Sequence, residues 1–130
     1  MWIRALTLAV ALAACSPSAQ PGPGDVQVMA PAENASSESP LGVEGVAPND
    51  WYFEATFPIR LETAAGEVLA EAPAIAGSDW MAEGPVPFSA EVPFTVAAET
   101  AAILVLEEDM PGEGQEPRQV RIAVTLLPSS

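Results

Sequence analysis

The sequence contains no histidine and no lysine, and one cysteine, Cys15. Without histidine or lysine, and with a single thiol, no ordinary nucleophile–base pair can be assembled. Zinc loses its usual nitrogen and sulfur ligands for the same reason. One cysteine also rules out an internal disulfide, so an oxidising compartment is tolerated but adds nothing to stability. Positive charge is nearly missing: four arginines face 18 acidic residues, for a net charge of −14. Nucleic acid is thereby excluded as a partner, since phosphate binding needs a basic footprint. An anionic lipid surface would repel such a domain, so any membrane attachment must come from something other than charge. Aromatic residues are only 6% of the chain. Each one therefore marks a place where core or contact surface is expected.

What the chain does have is alternation. In residues 51–61, Trp51, Phe53, Ala55, Phe57, Ile59 and Leu61 share one parity. Tyr52, Glu54, Thr56, Pro58 and Arg60 share the other. A period of two predicts a strand with one buried and one wet face, and Pro58 at its middle excludes a helix. It is the expected central strand. Val26-Gln27-Val28 precedes it as a short strand, residues 30–39 read as a loop, and residues 40–47 as a second strand. Gly42 and Gly45 predict a bulge or close packing there. After the central strand, residues 63–66 form a turn and residues 67–76 return as a hairpin.

Trp80 and Met81 fall in the next connection. Phe88, Ala90, Val92 and Phe94 then alternate with Ser89, Glu91, Pro93 and Thr95. The prolines at 85, 87 and 93 predict an edge strand or a bulge, because they cannot donate to a ladder. Residues 101–107 are a nearly continuous apolar strand, and Val120, Ile122, Val124 and Leu126 alternate in the last. One core is all that 130 residues can build. About seven short strands joined by Pro/Gly turns predict an all-β fold, an antiparallel sandwich of immunoglobulin type over residues 26–128.

The first residues predict an address. Arg4 precedes an apolar run over residues 5–14, too short for the ~20 residues of a spanning helix but suited to a signal peptide. The run ends Leu12-Ala13-Ala14-Cys15, which resembles the lipobox of bacterial lipoproteins. The resemblance implies cleavage before Cys15, with Leu12, Ala13 and Ala14 recognised by the lipoprotein signal peptidase. It also implies diacylglyceryl and fatty-acyl (palmitate-type) chains on Cys15. Several acyl chains anchor stably where one would be marginal. Residues 15–25 then supply a Pro/Gly-rich tether with too little apolar surface to order itself. Ser16 in place of an aspartate leans toward the periplasmic face of an outer membrane.

Several separate stretches are similar to one family. They are Ser39-Pro40-Leu41-Gly42-Val43-Glu44-Gly45-Val46-Ala47, then Trp51-Tyr52-Phe53-Glu54-Ala55 with Phe57-Pro58-Ile59-Arg60-Leu61. Gly66-Glu67-Val68-Leu69-Ala70, Asp79-Trp80-Met81 and Pro87-Phe88-Ser89-Ala90 complete the set. Together they resemble the immunoglobulin-like domain of bacterial spore germination proteins, which also occurs in lipoproteins of bacteria that make no spores. The resemblance implies a sandwich in the cell envelope and carries over no catalytic residue. Where that family shows an Asp-Asn-Pro-Ser-Gly loop, this chain departs, with Asp109-Met110-Pro111-Gly112-Glu113.

The expected function is therefore non-catalytic binding by a lipid-anchored envelope protein, without cofactor or metal. The expected partners are the membrane, through Cys15, and either an envelope protein or the peptidoglycan glycan. A minor envelope hydrolase, or a subunit assisting one, is the rival outside binding, since paired carboxylates can hydrolyse glycosides. Glu107-Glu108-Asp109 clusters oxygens that calcium accepts but matches no known ligand spacing, and reads as a solvated charge run. Tyr52, on the wet face, and Asp79-Trp80, in a connection, are the candidate contacts for a sugar ring or a partner side chain. The alternative for Trp80 is a structural plug at one end of the sandwich.

Overall fold

The computed structural model describes residues 26–129; the leader, the lipobox with Cys15, and the tether lie outside the described residues. Eight strands form: β1 (Gln27–Ala30), β2 (Ala35–Ser37), β3 (Leu41–Pro48), β4 (Thr56–Glu62), β5 (Val68–Ala76), β6 (Pro85–Val92), β7 (Thr100–Glu107) and β8 (Gln119–Leu126). They are hydrogen-bonded in the order β1-β3-β6-β5-β4-β7-β8-β2. The sheet curls on itself, so that β1-β3-β6 faces β4-β7-β8-β2 and β5 joins the two layers. Among the described residues no helix is long and apolar enough to cross a membrane.

Alternation explains most of this. In β6 Val86, Phe88, Ala90 and Val92 are buried while the residues between them are exposed. In β3 Leu41, Val43, Gly45 and Ala47 turn inward. Phe57, Ile59 and Leu61 of β4 meet them from the opposite layer, with Leu104 and Leu106 of β7 and Ile122, Val124 and Leu126 of β8. Gly45 is where the close packing falls. A Cβ there would stand 2.2 Å from the Gln27 carbonyl oxygen and 2.9 Å from Phe88 Cζ, so only glycine lets β1 and Phe88 approach. The register shift lies opposite it, between Val28 and Ala30 of β1.

Three expectations need correction. The expected loop at 30–39 contains β2, which pairs parallel with β8 through Ala35↔Val124 to Ser37↔Leu126. The stretch 51–61 is not one strand. Trp51 closes a 3₁₀ turn, Asn49–Trp51, and a tight turn at 53–56 intervenes before β4 begins. Third, β6 is interior, paired with β3 at eight positions.

The prolines still act on β6, from its other side. Gly77 N–H donates to the Pro87 carbonyl at 2.8 Å, so Pro87 directs its backbone, and its missing donor, toward β5. In β5, Pro73 stands opposite Pro58, where neither could hydrogen-bond the other, and so also directs its missing donor to the β6 side. As a result β5 and β6 pair only at Ile75↔Ser89 and Ala76↔Phe88. Past Ile75↔Ser89, toward Pro73 and Glu91, the sheet parts.

A candidate contact surface at one end of the sandwich

The tight turn builds this end. Phe53 N–H donates to the Thr56 carbonyl at 2.9 Å and Thr56 N–H to that of Phe53 at 3.2 Å. Between them Glu54 and Ala55 take φ of 53° and 71°. Two successive left-handed residues define the turn type that matches strand twist, but a Cβ at each makes it costly, about 1–2 kcal/mol per residue. Surrounding contacts hold it: the Ala55 carbonyl accepts from Ala76 N–H at 2.8 Å, tying the turn to the end of β5.

The turn reverses the chain and inverts the expected faces. Tyr52 is buried, 3% exposed, and its hydroxyl donates to the Val86 carbonyl at 2.7 Å. Burial pushes the phenol above its ordinary pKa. Tyr52 thus braces the core and is no surface contact. Phe53, expected inside, is 41% exposed. Its ring stands edge-on to Trp80, with centroids 6.5 Å apart. Trp80 is half-buried against the core, with Met81, 71% exposed, beside it in sequence. Asp79 is exposed, and its carboxylate accepts the Met81 N–H at 3.0 Å, which fixes the connection. The structure therefore brings Trp80, Asp79 and Met81 together with Phe53 and removes Tyr52. Phe53 has no sequence signal, because its exposure follows from a turn whose residues, Glu-Ala, are not turn formers.

The acidic run at 107–109 also differs from expectation. Glu107, partly exposed, and Glu108, buried, are each paired with an arginine. Glu107 accepts from Arg60 at 2.9 Å and Glu108 from Arg118 at 2.8 Å. Arg118 also bonds Asp50 and lies 5.7 Å from the Trp51 ring centroid. Glu62 accepts from Arg60 and, at 3.1 Å, from Arg121. The guanidiniums hold the Glu62 and Glu108 carboxyls below their ordinary pKa. Val105, in register between Arg60 and Arg121, is fully buried on what would be an outer face. It lies beneath the arginine stems. This network covers Val105 on the outer side of β4-β7-β8. Among the described residues no group of three or more acidic or sulfur ligands could hold a metal ion.

A curled eight-stranded sandwich with an apolar tip defines an immunoglobulin-like module. The chain belongs to the Gmad2 family, the immunoglobulin-like domain of bacterial spore germination, which matches residues 25–114. The match ends before β8, which nevertheless pairs with β7 along its whole length. No curated protein and no solved structure matches the chain.

Proposed function

We propose that this is a lipid-anchored envelope protein whose domain binds another protein through the tip formed by Phe53, Trp80 and Met81. The observation carrying this reading is the exposure of Phe53 and Met81 beside the half-buried Trp80 in a strongly acidic chain, with Phe53 on a turn held in costly backbone geometry. A sugar platform would present an aromatic face ringed by free hydrogen-bonding groups. Here Phe53 meets Trp80 edge-on, the Tyr52 hydroxyl is committed inside, and Asp79 is occupied by its own loop. A thioether beside aromatic edges suits an apolar protein contact.

A photo-crosslinking residue at Met81 is expected to trap an envelope protein in cells, and Phe53→Ala with Met81→Ala to reduce that yield about tenfold or more. Saturable, salt-resistant binding to peptidoglycan, lost in the same double variant, would replace this reading with glycan binding. Turnover of wall fragments by the purified protein would replace both with the hydrolase reading.

The address is proposed from the lipobox: transfer of a diacylglyceryl group to the Cys15 thiol, cleavage before Cys15, acylation of the new amino terminus, and residence on the periplasmic face of an outer membrane where one exists. Residues 16–24 would space the domain from the bilayer. Cys15→Ala is expected to leave an uncleaved precursor that incorporates no labelled palmitate. Normal processing of that variant would remove the anchor from the proposal.

A further inference from the structure

The place where β5 parts from β6 is a second surface, independent of the tip. Backbone groups of alternate strand residues face the same neighbour, so the Gly77–Pro87 bond fixes which ones face this seam. They are the N–H and C=O of Glu71, the C=O of Pro73, and the N–H and C=O of Glu91, all beyond the last β5–β6 pair. The seam opens on the outer surface as a cleft of about 520 Å³. Pro73, Ile75 and Ala90 give it apolar walls, and Ile75 is 54% exposed. Glu44 and Glu91 line it, and Glu71 is exposed on the adjoining strand.

Charge selects the occupant. Arg60, Arg118 and Arg121 are all engaged with Glu62, Glu107, Glu108 and Asp50. Among the described residues, Glu44, Glu71 and Glu91 have no ion-pair partner. A second copy of this chain would bring the same carboxylates against them, and like charges in register repel. A strand with cationic side chains on its outward positions would neutralise them, while its backbone completes the β5 edge.

We propose that the β5–β6 seam takes an extended basic peptide segment of a partner protein, with lysine or arginine alternating with apolar residues. The segment adds as a strand along β5. Its cationic side chains face outward onto Glu44, Glu71 and Glu91, and the alternate apolar ones turn to the inner face, the side of Ala72 and Ala90.

The test titrates the full chain, in nonionic detergent, into a fluorescein-labelled peptide of alternating lysine and valine, followed by anisotropy. Saturable binding is expected, with none for the glutamate–valine counterpart. Glu44→Gln with Glu91→Gln should weaken it about tenfold and flatten its salt dependence. Glu71→Pro removes an edge donor along with the carboxylate and should weaken it more than Glu71→Gln, which removes the charge alone. Since the proline variant could fail to fold, the same peptide with alternate amides N-methylated asks the question of the wild-type chain and should bind about tenfold more weakly. Phe53→Ala with Met81→Ala should leave binding unchanged, which separates this site from the tip. Equal binding of the N-methylated peptide would reduce the effect to charge alone and overturn the proposal. So would absence of binding, or a dimer of the chain that excludes the peptide.

Discussion

Phe57→Ala is expected to cost about 3–5 kcal/mol, the largest effect of any single substitution in this domain. Phe57 is 1% exposed and stands where both layers and the 3₁₀ turn converge. Its ring makes edge-to-face contacts with Trp51 at 5.5 Å, Tyr52 at 5.2 Å and Phe88 at 5.0 Å between centroids. Each such pair adds about 0.5–1.5 kcal/mol beyond area burial, though three pairs sharing one ring do not sum independently. Removing the ring opens a cavity lined by three large aromatics, Trp51 and Tyr52 at the 3₁₀ turn and Phe88 on β6, which cannot collapse together. A small domain has about 5–15 kcal/mol of total stability, so the variant should sit near the edge of folding. Urea unfolding followed by near-ultraviolet circular dichroism would check it. Phe57→Leu, which keeps much of the volume, should cost less than half as much. If Phe57→Ala cost under about 1 kcal/mol, the convergence described here would be wrong.

The same residue shows why the sequence was legible on one side and opaque on the other. From Phe57 onward the alternation of β4 holds, because Ile59 and Leu61 extend along an ordinary pleat. N-terminal to it, the pattern continues by parity alone across a chain reversal. Trp51 remains buried, but Tyr52 and Phe53 exchange sides. Nothing in Glu54-Ala55 announces two left-handed residues, since only tertiary contacts compensate their cost. Strand β2 was hidden differently: Ala-Ser-Ser has no alternation, and it is ordered by main-chain pairing to a strand some ninety positions later. Proline predicts a missing ladder donor, and Pro87 and Pro73 remove donors between β5 and β6, but the edge strand expected of β6 is not one. The side on which the prolines act could not be read, because that depends on which residues of β6 face β3. The candidate contacts fared likewise. Asp79-Trp80 in a connection was readable from turn composition, whereas Phe53 needed the turn to be seen. Arg60 and Glu62, two apart on one strand, suggest a shared face, but Glu107 and Arg121 join them only through the β4-β7-β8 register.

That register leads to the last expected result. Glu62→Gln should destabilise the domain by roughly 1–3 kcal/mol at neutral pH, the range for a charged partner removed from a largely desolvated hydrogen-bonded network. Glu62 is 7% exposed, and its two oxygens accept from Arg60 and Arg121. Glutamine keeps the shape but offers one oxygen to two cations, leaving them to repel across the space above Val105. The pH dependence follows from the direction of the pKa change. The hydrogen bond from Arg60, then that from Arg121, holds the folded carboxyl below its ordinary value of 4.5. Its contribution is complete above the unfolded pKa and is lost as pH falls through the folded one. Glu108, lowered by Arg118, acts in the same direction. The wild-type melting temperature should therefore decline as pH drops below about 4.5, and the gap between wild type and Glu62→Gln should close over the same interval. Glu99→Gln, at an exposed position, should stay within about 0.5 kcal/mol of wild type throughout. A Glu62→Gln deficit that persisted undiminished at acid pH would mean that the loss comes from packing rather than from the carboxylate charge.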